Sequence, residues 1–143
     1  MNMNETILKF RYPDSLIKEY KYWVVLLRPI QVTLGSLVIA CKEDAESIPL
    51  ISKEAHQEFQ TVCLEMEQLI GKVFNADKFN YLALMMVDKQ VHFHFLPRYK
   101  EAIQFEKVFF QDKSWPGAPD LGDTMLVSDL MMKVLITHLV KNL

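Results

Sequence analysis

The sequence predicts an α+β domain: an antiparallel sheet of about five strands covered by two main α-helices. Three observations carry this. Short apolar runs rich in β-branched and aromatic residues occur at Tyr22–Pro29, Leu37–Cys41, Phe79–Val87 and Val91–Leu96. Two longer stretches, Lys53–Phe74 and Ser128–Leu143, repeat apolar residues every three or four positions. The links between neighbouring runs are short, which suits hairpins and an antiparallel sheet.

Taken in order, residues 1–21 are mixed and charged and support either a short helix or a strand, as an extension of uncertain structure. The run "YWVVLLRP" is stopped by Pro29 and reads as a buried strand. Gly35 then marks a turn or bulge before the strand Leu37–Cys41. In the first long helix, Phe59, Val62, Cys63, Met66, Leu69, Ile70, Val73 and Phe74 fall on one face. Ser52 is placed to cap its start, and Asn75 suits a left-handed end. The runs at Phe79–Val87 and Val91–Leu96 read as two strands turning at Asp88-Lys89. "SWPGAPDLG" (Ser114–Gly122) is a loop, and Ser128 caps the last helix.

The chain has 143 residues, one domain's worth, and is 50% hydrophobic and 24% charged, enough for a real core. A net charge of −2 gives no domain-wide basic field for nucleic acid, although a local cationic pocket for a small anion remains open. Cys41 and Cys63 show no metal or disulfide spacing and read as reduced thiols. The polar start lacks a signal peptide's shape, and no apolar run reaches the length of a membrane span. A soluble, cytoplasmic protein is the expectation.

"KQVHFHFLPRY" (Lys89–Tyr99) holds two of the chain's 4 histidines. Side chains alternate along a strand, so Gln90, His92 and His94 share one face while Val91, Phe93 and Phe95 share the other. Neighbours on one face stand about 6.6 Å apart, so both imidazoles can touch one phosphate. An imidazole with a pKa of about 6.5 is mostly neutral at pH 7 and is a good nucleophile toward phosphorus. From His-x-His alone three roles compete: a half-exposed sheet surface, a metal pair completed by a third ligand, and catalysis.

The longer pattern Gln90-Val91-His92-Phe93-His94-Phe95-Leu96-Pro97-Arg98 resembles the histidine triad family of nucleotide hydrolases and transferases. Aligned on "HFLPR", His92 falls on the middle histidine of that signature and His94 on the third. Gln90 stands at the first, as in some bacterial members. "DKFNYLAL" (Asp77–Leu84), "LGSLVIACK" (Leu34–Lys42) and "DKSWPG" (Asp112–Gly117) are similar to flanking segments of the family. The resemblance covers roughly residues 22–118.

The resemblance implies a nucleotide substrate, covalent attack by His92 on an α-phosphorus, phosphate contact from His94 and a weaker polar contact from Gln90. It implies no metal and no cofactor, and a homodimer whose sheets join. Asn80, Arg98 and Trp115 are candidate substrate contacts, each with a structural alternative: a strand-edge hydrogen bond for Asn80, a solvated or ion-paired side chain for Arg98, and a Trp-Pro turn for Trp115. A diadenosine polyphosphate hydrolase is its most concrete form. The chain departs from the family pattern at Ser36, Asp44, Met85 and Met86. Those departures motivate a first rival, a regulatory domain that binds nucleotide and turns over poorly. A second rival is a metal site of His92, His94 and Asp44. Lys42, Lys89, His56 and His138 read as solvent-facing or structural.

Overall fold

The computed structural model describes residues 2–125 and 127–143. Its centre is a five-stranded antiparallel sheet: β1 (Leu16–Glu19), β2 (Trp23–Leu27), β3 (Leu37–Cys41), β4 (Lys78–Leu82) and β5 (His92–Arg98), in the spatial order β1-β2-β3-β5-β4. Three α-helices accompany it, one more than the two main helices expected: α1 (Glu5–Lys9), α2 (Lys53–Phe74) and α3 (Asp129–Lys141).

The register sorts the side chains. Residues paired across antiparallel strands point the same way. Val25 faces Ile39, Ile39 faces Phe93, and Leu37 faces Phe95. With Trp23, Leu27 and Cys41 they form one apolar face, packed against Val62, Met66, Leu69, Ile70 and Phe74 of α2 and Leu135 and Leu139 of α3. The Trp23 indole N–H donates to the Ala55 carbonyl at 2.7 Å and pins β2 to α2. The expected helix ends are present. Ser52 accepts from the Ala55 N–H, and Asn75 adopts the left-handed conformation (φ 54°, ψ 47°). Gly35 turns β2 into β3 at φ 82°, where a Cβ would also press on Ile70 and Phe74 at 3.3 Å.

The opposite face is covered as well. Val24, Leu26, Val38 and Ala40 project there and receive Ile7 of α1, which is wholly buried. The undecided first 21 residues thus contain both candidates, a helix and a strand. Asn4 caps α1 by accepting from the Ile7 N–H, and its amide donates to the Cys41 carbonyl at 2.9 Å.

Two segments depart from expectation. β4 ends at Leu82 rather than Val87, because Met85 takes φ 45° and Leu84, Met86 and Val87 turn to solvent. The tight hairpin expected at Asp88-Lys89 is therefore a longer loop, and the apolarity of "LMMV" is not core. A second sheet of two short strands, β6 (Ile103–Phe105) and β7 (Val108–Phe110), follows β5. Its two-residue turn holds Glu106 and Lys107 at φ 51° and 64°, the geometry of a primed hairpin turn without the Asn-Gly pair that usually announces it.

Ile7→Ala should destabilise the protein by about 2–5 kcal/mol, the range for emptying a fully buried aliphatic site. Urea unfolding should show a lower midpoint with an unchanged slope.

Candidate active site on the histidine face

β5 lies inside the sheet, between β3 and β4; His92 is held by the β3 ladder and His94 by ladders on both sides. His92 stands opposite Ala40, and His94 lies between Val38 and Leu82. The small Ala40 leaves room beside the first ring. The two rings are 5.1 Å apart, centroid to centroid, and nearly perpendicular.

Each imidazole has one nitrogen fixed. His92 Nδ1 lies 2.7 Å from the Gln90 carbonyl oxygen. A carbonyl only accepts, so Nδ1 carries the proton and the Nε2 lone pair is free. His94 Nδ1 faces Arg28, whose Nε–H donates to it across a long 3.4 Å. Nδ1 must then be the acceptor and Nε2 the N–H donor. Burial, and after it the Arg28 and His92 charges, pull the His94 pKa down to about 4, with Asp88 opposing weakly. His94 is a neutral donor at physiological pH, and His92 presents a nucleophilic nitrogen.

The polar row is not open to solvent, as an exposed face would have been. His92 is 2% exposed and His94 6%. Phe10, at the end of α1, stands over both rings at 5.7 and 6.0 Å. The Gln90 amide is engaged at both ends. Its oxygen accepts from the Thr6 hydroxyl at 2.6 Å, and its nitrogen donates to Asp44 at 3.1 Å. Gln90 therefore ties α1 to the sheet. Asp44, one of the three proposed metal ligands, is turned to that amide. No group of three His, Cys, Asp or Glu residues suited to an ion occurs among the described residues.

Asn80 and Arg98 share this face but belong to a different cluster. The Arg98 guanidinium donates to both Asp112 oxygens, at 2.6 and 3.1 Å, and to the Asn80 side-chain oxygen at 2.7 Å. Arg98 and Asp112 side chains are 4% and 3% exposed, so this is a buried, internally satisfied pair. Trp115 is half-buried in the turn that begins at Asp112, where its backbone N–H donates to the Asp112 carbonyl at 3.3 Å. The structure thus brings His92, His94 and Gln90 together and gathers Asn80 and Arg98 around Asp112.

Three residues of the histidine face were missed in the sequence: Thr6, Phe10 and Arg28. α1 has five residues, too few to show a periodicity. Arg28 did leave a mark, as the cation that ends an otherwise apolar run. Cys41 and Cys63 are free thiols outside this cluster, and burial raises both to about 11.

A histidine-bearing inner strand in a five-stranded antiparallel sheet, backed by one long helix, is the fold of histidine triad proteins. Solved structures with this fold include a histidine triad protein from Bradyrhizobium japonicum. It is 16% identical, with 99% of this chain and 96% of that one aligned at a TM-score of 0.74. A histidine triad protein from Marinobacter aquaeolei aligns over 99% of this chain and 94% of its own, at 19% identity and a TM-score of 0.75. The diadenosine triphosphate hydrolase of Plasmodium falciparum aligns over 65% and 67% of the two chains, at 16% identity and a TM-score of 0.58. No protein-family model matches the sequence. No curated protein matches it either. No helix among the described residues is long and apolar enough to cross a membrane.

The unfolded His94 imidazole titrates near 6.5 and the folded one near 4. Between those values the unfolded chain binds more protons, so stability falls as pH drops from about 6.5 toward 4. NMR titration of labelled imidazoles should give the low midpoint and show it rising in Arg28→Gln. Asp112→Ala leaves the Arg98 charge buried and unpaired, and should cost about 3–5 kcal/mol in denaturant unfolding.

Proposed function

We propose that the protein is a nucleotide hydrolase or nucleotidyl transferase that works through a nucleotidyl-histidine at His92. The observation that carries this is the tautomer: Nδ1–H held by the Gln90 carbonyl and Nε2 free. The Nε2 lone pair attacks the α-phosphorus of a phosphoanhydride or phosphoramidate. The bond to the leaving group breaks and the leaving group takes the electron pair, a phosphate departing as an anion and an amine taking a proton from water. The resulting nucleotidyl-imidazolium keeps its proton on Nδ1, where the carbonyl stabilises the new positive charge. His94 donates its Nε2–H to a phosphate oxygen. Water then attacks phosphorus, the P–Nε2 bond breaks with its electron pair returning to His92, and the water's proton passes to solvent. Gln90 acts through its backbone carbonyl and by holding α1.

Diadenosine polyphosphates are the most concrete substrate class, supported by the resemblance of "QVHFHFLPR" and by the shared fold. Asn80, Arg98 and Trp115 are read as substrate-side residues of the same face on the strength of the sequence resemblance. Arg98 contributes there by fixing Asn80 and the turn that carries Trp115. A homodimer fits β4, an edge strand with a free hydrogen-bonding side. One observation favours the alternative of a slow, nucleotide-binding regulatory domain: both imidazoles lie under Phe10 and are nearly inaccessible as they stand.

A single-turnover assay with diadenosine tetraphosphate separates these readings. The hydrolase predicts product, an acid-labile adenylyl adduct detected by mass, and loss of both in His92→Ala. Mononucleotide binding without product or adduct in the folded wild type establishes the regulatory domain instead.

A further inference from the structure

The cover over the histidine face is built apart from the main core. Ile7 of α1 packs with Val24, Leu26, Val38 and Ala40, a cluster distinct from the one that holds α2 and α3 to the sheet. Phe10 completes the cover, its ring 5.7 Å from that of His92 and 6.0 Å from that of His94. A nucleophile must come to about 3–3.5 Å from phosphorus along an open line. His92 is buried, so a tetrahedral phosphate does not reach its Nε2 while Phe10 stands in place. The cavity of about 220 Å³ formed by Lys9, Phe10, Arg11, Arg28, Pro29 and Ile30 includes neither histidine.

Polar contacts hold α1 against the strand that carries the histidines. The Thr6 hydroxyl and backbone N–H donate to the Gln90 side-chain oxygen at 2.6 and 3.3 Å, and the Gln90 backbone N–H donates to the Thr6 hydroxyl at 3.2 Å. The Gln90 amide nitrogen donates to Asp44 at 3.1 Å, which keeps its oxygen turned toward α1. Lys9 pairs with Asp88 at 2.7 Å, and the Lys9 side chain is exposed. Partly exposed contacts of this kind exchange for water at small net cost.

Beyond Phe10 the chain is loosely held for four residues. Arg11, Pro13 and Asp14 are exposed, and Arg11 takes φ 70°, a left-handed conformation unfavourable for a side chain. Its ion pair with Asp129 is long, at 4.0 Å, and exposed on both sides. From Ser15 the chain is anchored again: Ser15 is buried and its carbonyl accepts from the Leu27 N–H at 2.8 Å. A short exposed link between a detachable helix and a fixed strand is where a hinge absorbs its dihedral change.

We propose that α1 with Phe10 is an autoinhibitory lid, latched by Thr6 on Gln90 and by Lys9 on Asp88, which swings about Arg11–Asp14 to admit nucleotide to His92. The proposal rests on the nucleotidyl-histidine reading and adds the control of that site. It also gives the Gln90 side chain a role, as the catch. Turnover then draws on the open fraction of molecules, and apparent affinity is lowered by that fraction.

Two measurements on the full chain test this. The first is the rate at which diethyl pyrocarbonate modifies His92, followed by peptide mass, with exposed His56 as the internal reference. In the wild type His92 should react at least tenfold more slowly than His56. Thr6→Val/Lys9→Ala removes both catches and leaves Phe10 in place. It should speed His92 at least fivefold and leave His56 unchanged. The second readout is kinetic. Because bound substrate keeps the lid open, the same variant should raise kcat/KM by one common factor for diadenosine tetraphosphate and adenosine 5′-phosphoramidate, with kcat unchanged. A wild-type His92 as reactive as His56 overturns the lid. An unchanged His92 rate in Thr6→Val/Lys9→Ala overturns it as well, because the cover is then fixed. A fall in kcat/KM for both substrates does the same, because α1 is then part of the substrate's binding surface. If the double variant does not fold, Lys9→Ala alone should still speed His92, and its failure to do so has the same force. A variant that uncovers His92 while neither substrate turns over leaves the lid standing and removes the hydrolase.

Discussion

Burial of both faces of β5 governs the rest of this structure. A strand between two neighbours has most of its backbone groups paired, so its side chains decide what each face meets. One face carries Phe93 and Phe95 into the core beneath α2. The other carries two imidazoles, and imidazoles placed under an apolar lid need partners. Each has one: a backbone carbonyl for His92 and a guanidinium N–H for His94. No buried side-chain nitrogen or oxygen among the described residues lacks a hydrogen-bond partner. The tautomers that give the site its chemistry are therefore the same ones that make the burial tolerable. Structure and reactivity are not separable at these two positions.

The histidine face also shows two ways of housing a guanidinium. Arg98 is closed off, with a bidentate carboxylate, an amide oxygen and almost no exposure. It locks the end of β5 to the turn at Asp112 and has no reach left over. Arg28 contacts only neutral acceptors and borders open space. Burial, and after it the positive charge of Arg28, holds the neighbouring imidazole neutral, which keeps His94 a donor rather than a competing cation. The geometry divides the labour: one arginine fixes a turn and the other helps to set the state of an imidazole.

Much of the fold was legible from local pattern. The α2 repeat, its Ser52 cap and its Asn75 end could be read directly, because helix periodicity and capping are local physics. β2 and β3 were equally plain. The alternation along β5 gave the correct pairing of faces, and the His-x-His row was found where it lies. What escaped depends on tertiary context. The burial of that row comes from a five-residue helix some 80 positions earlier, joined through Thr6 and Gln90. The "LMMV" run looked like strand because apolarity alone does not say whether a segment is core; Met85 at positive φ takes it out of the sheet. The β6–β7 hairpin uses Glu106-Lys107 in a conformation that neither residue advertises. Arg98 and Asn80 look like ligand contacts in a motif, and only the arrival of Asp112 shows where their hydrogen bonds go.

The lid's position in the chain has a further consequence. Thr6 and Gln90 are separated by 84 residues, so the surface on which α1 docks is made by strands distant in the chain. Ile7 then fills a hollow that the sheet alone has formed. A helix of five residues has little stability of its own, and its release costs only the contacts it makes with the sheet. Opening of the lid is thus a local event, separable from loss of the core under α2. The histidine face is thus built in two layers, the sheet first and then the short helix whose Phe10 covers both rings.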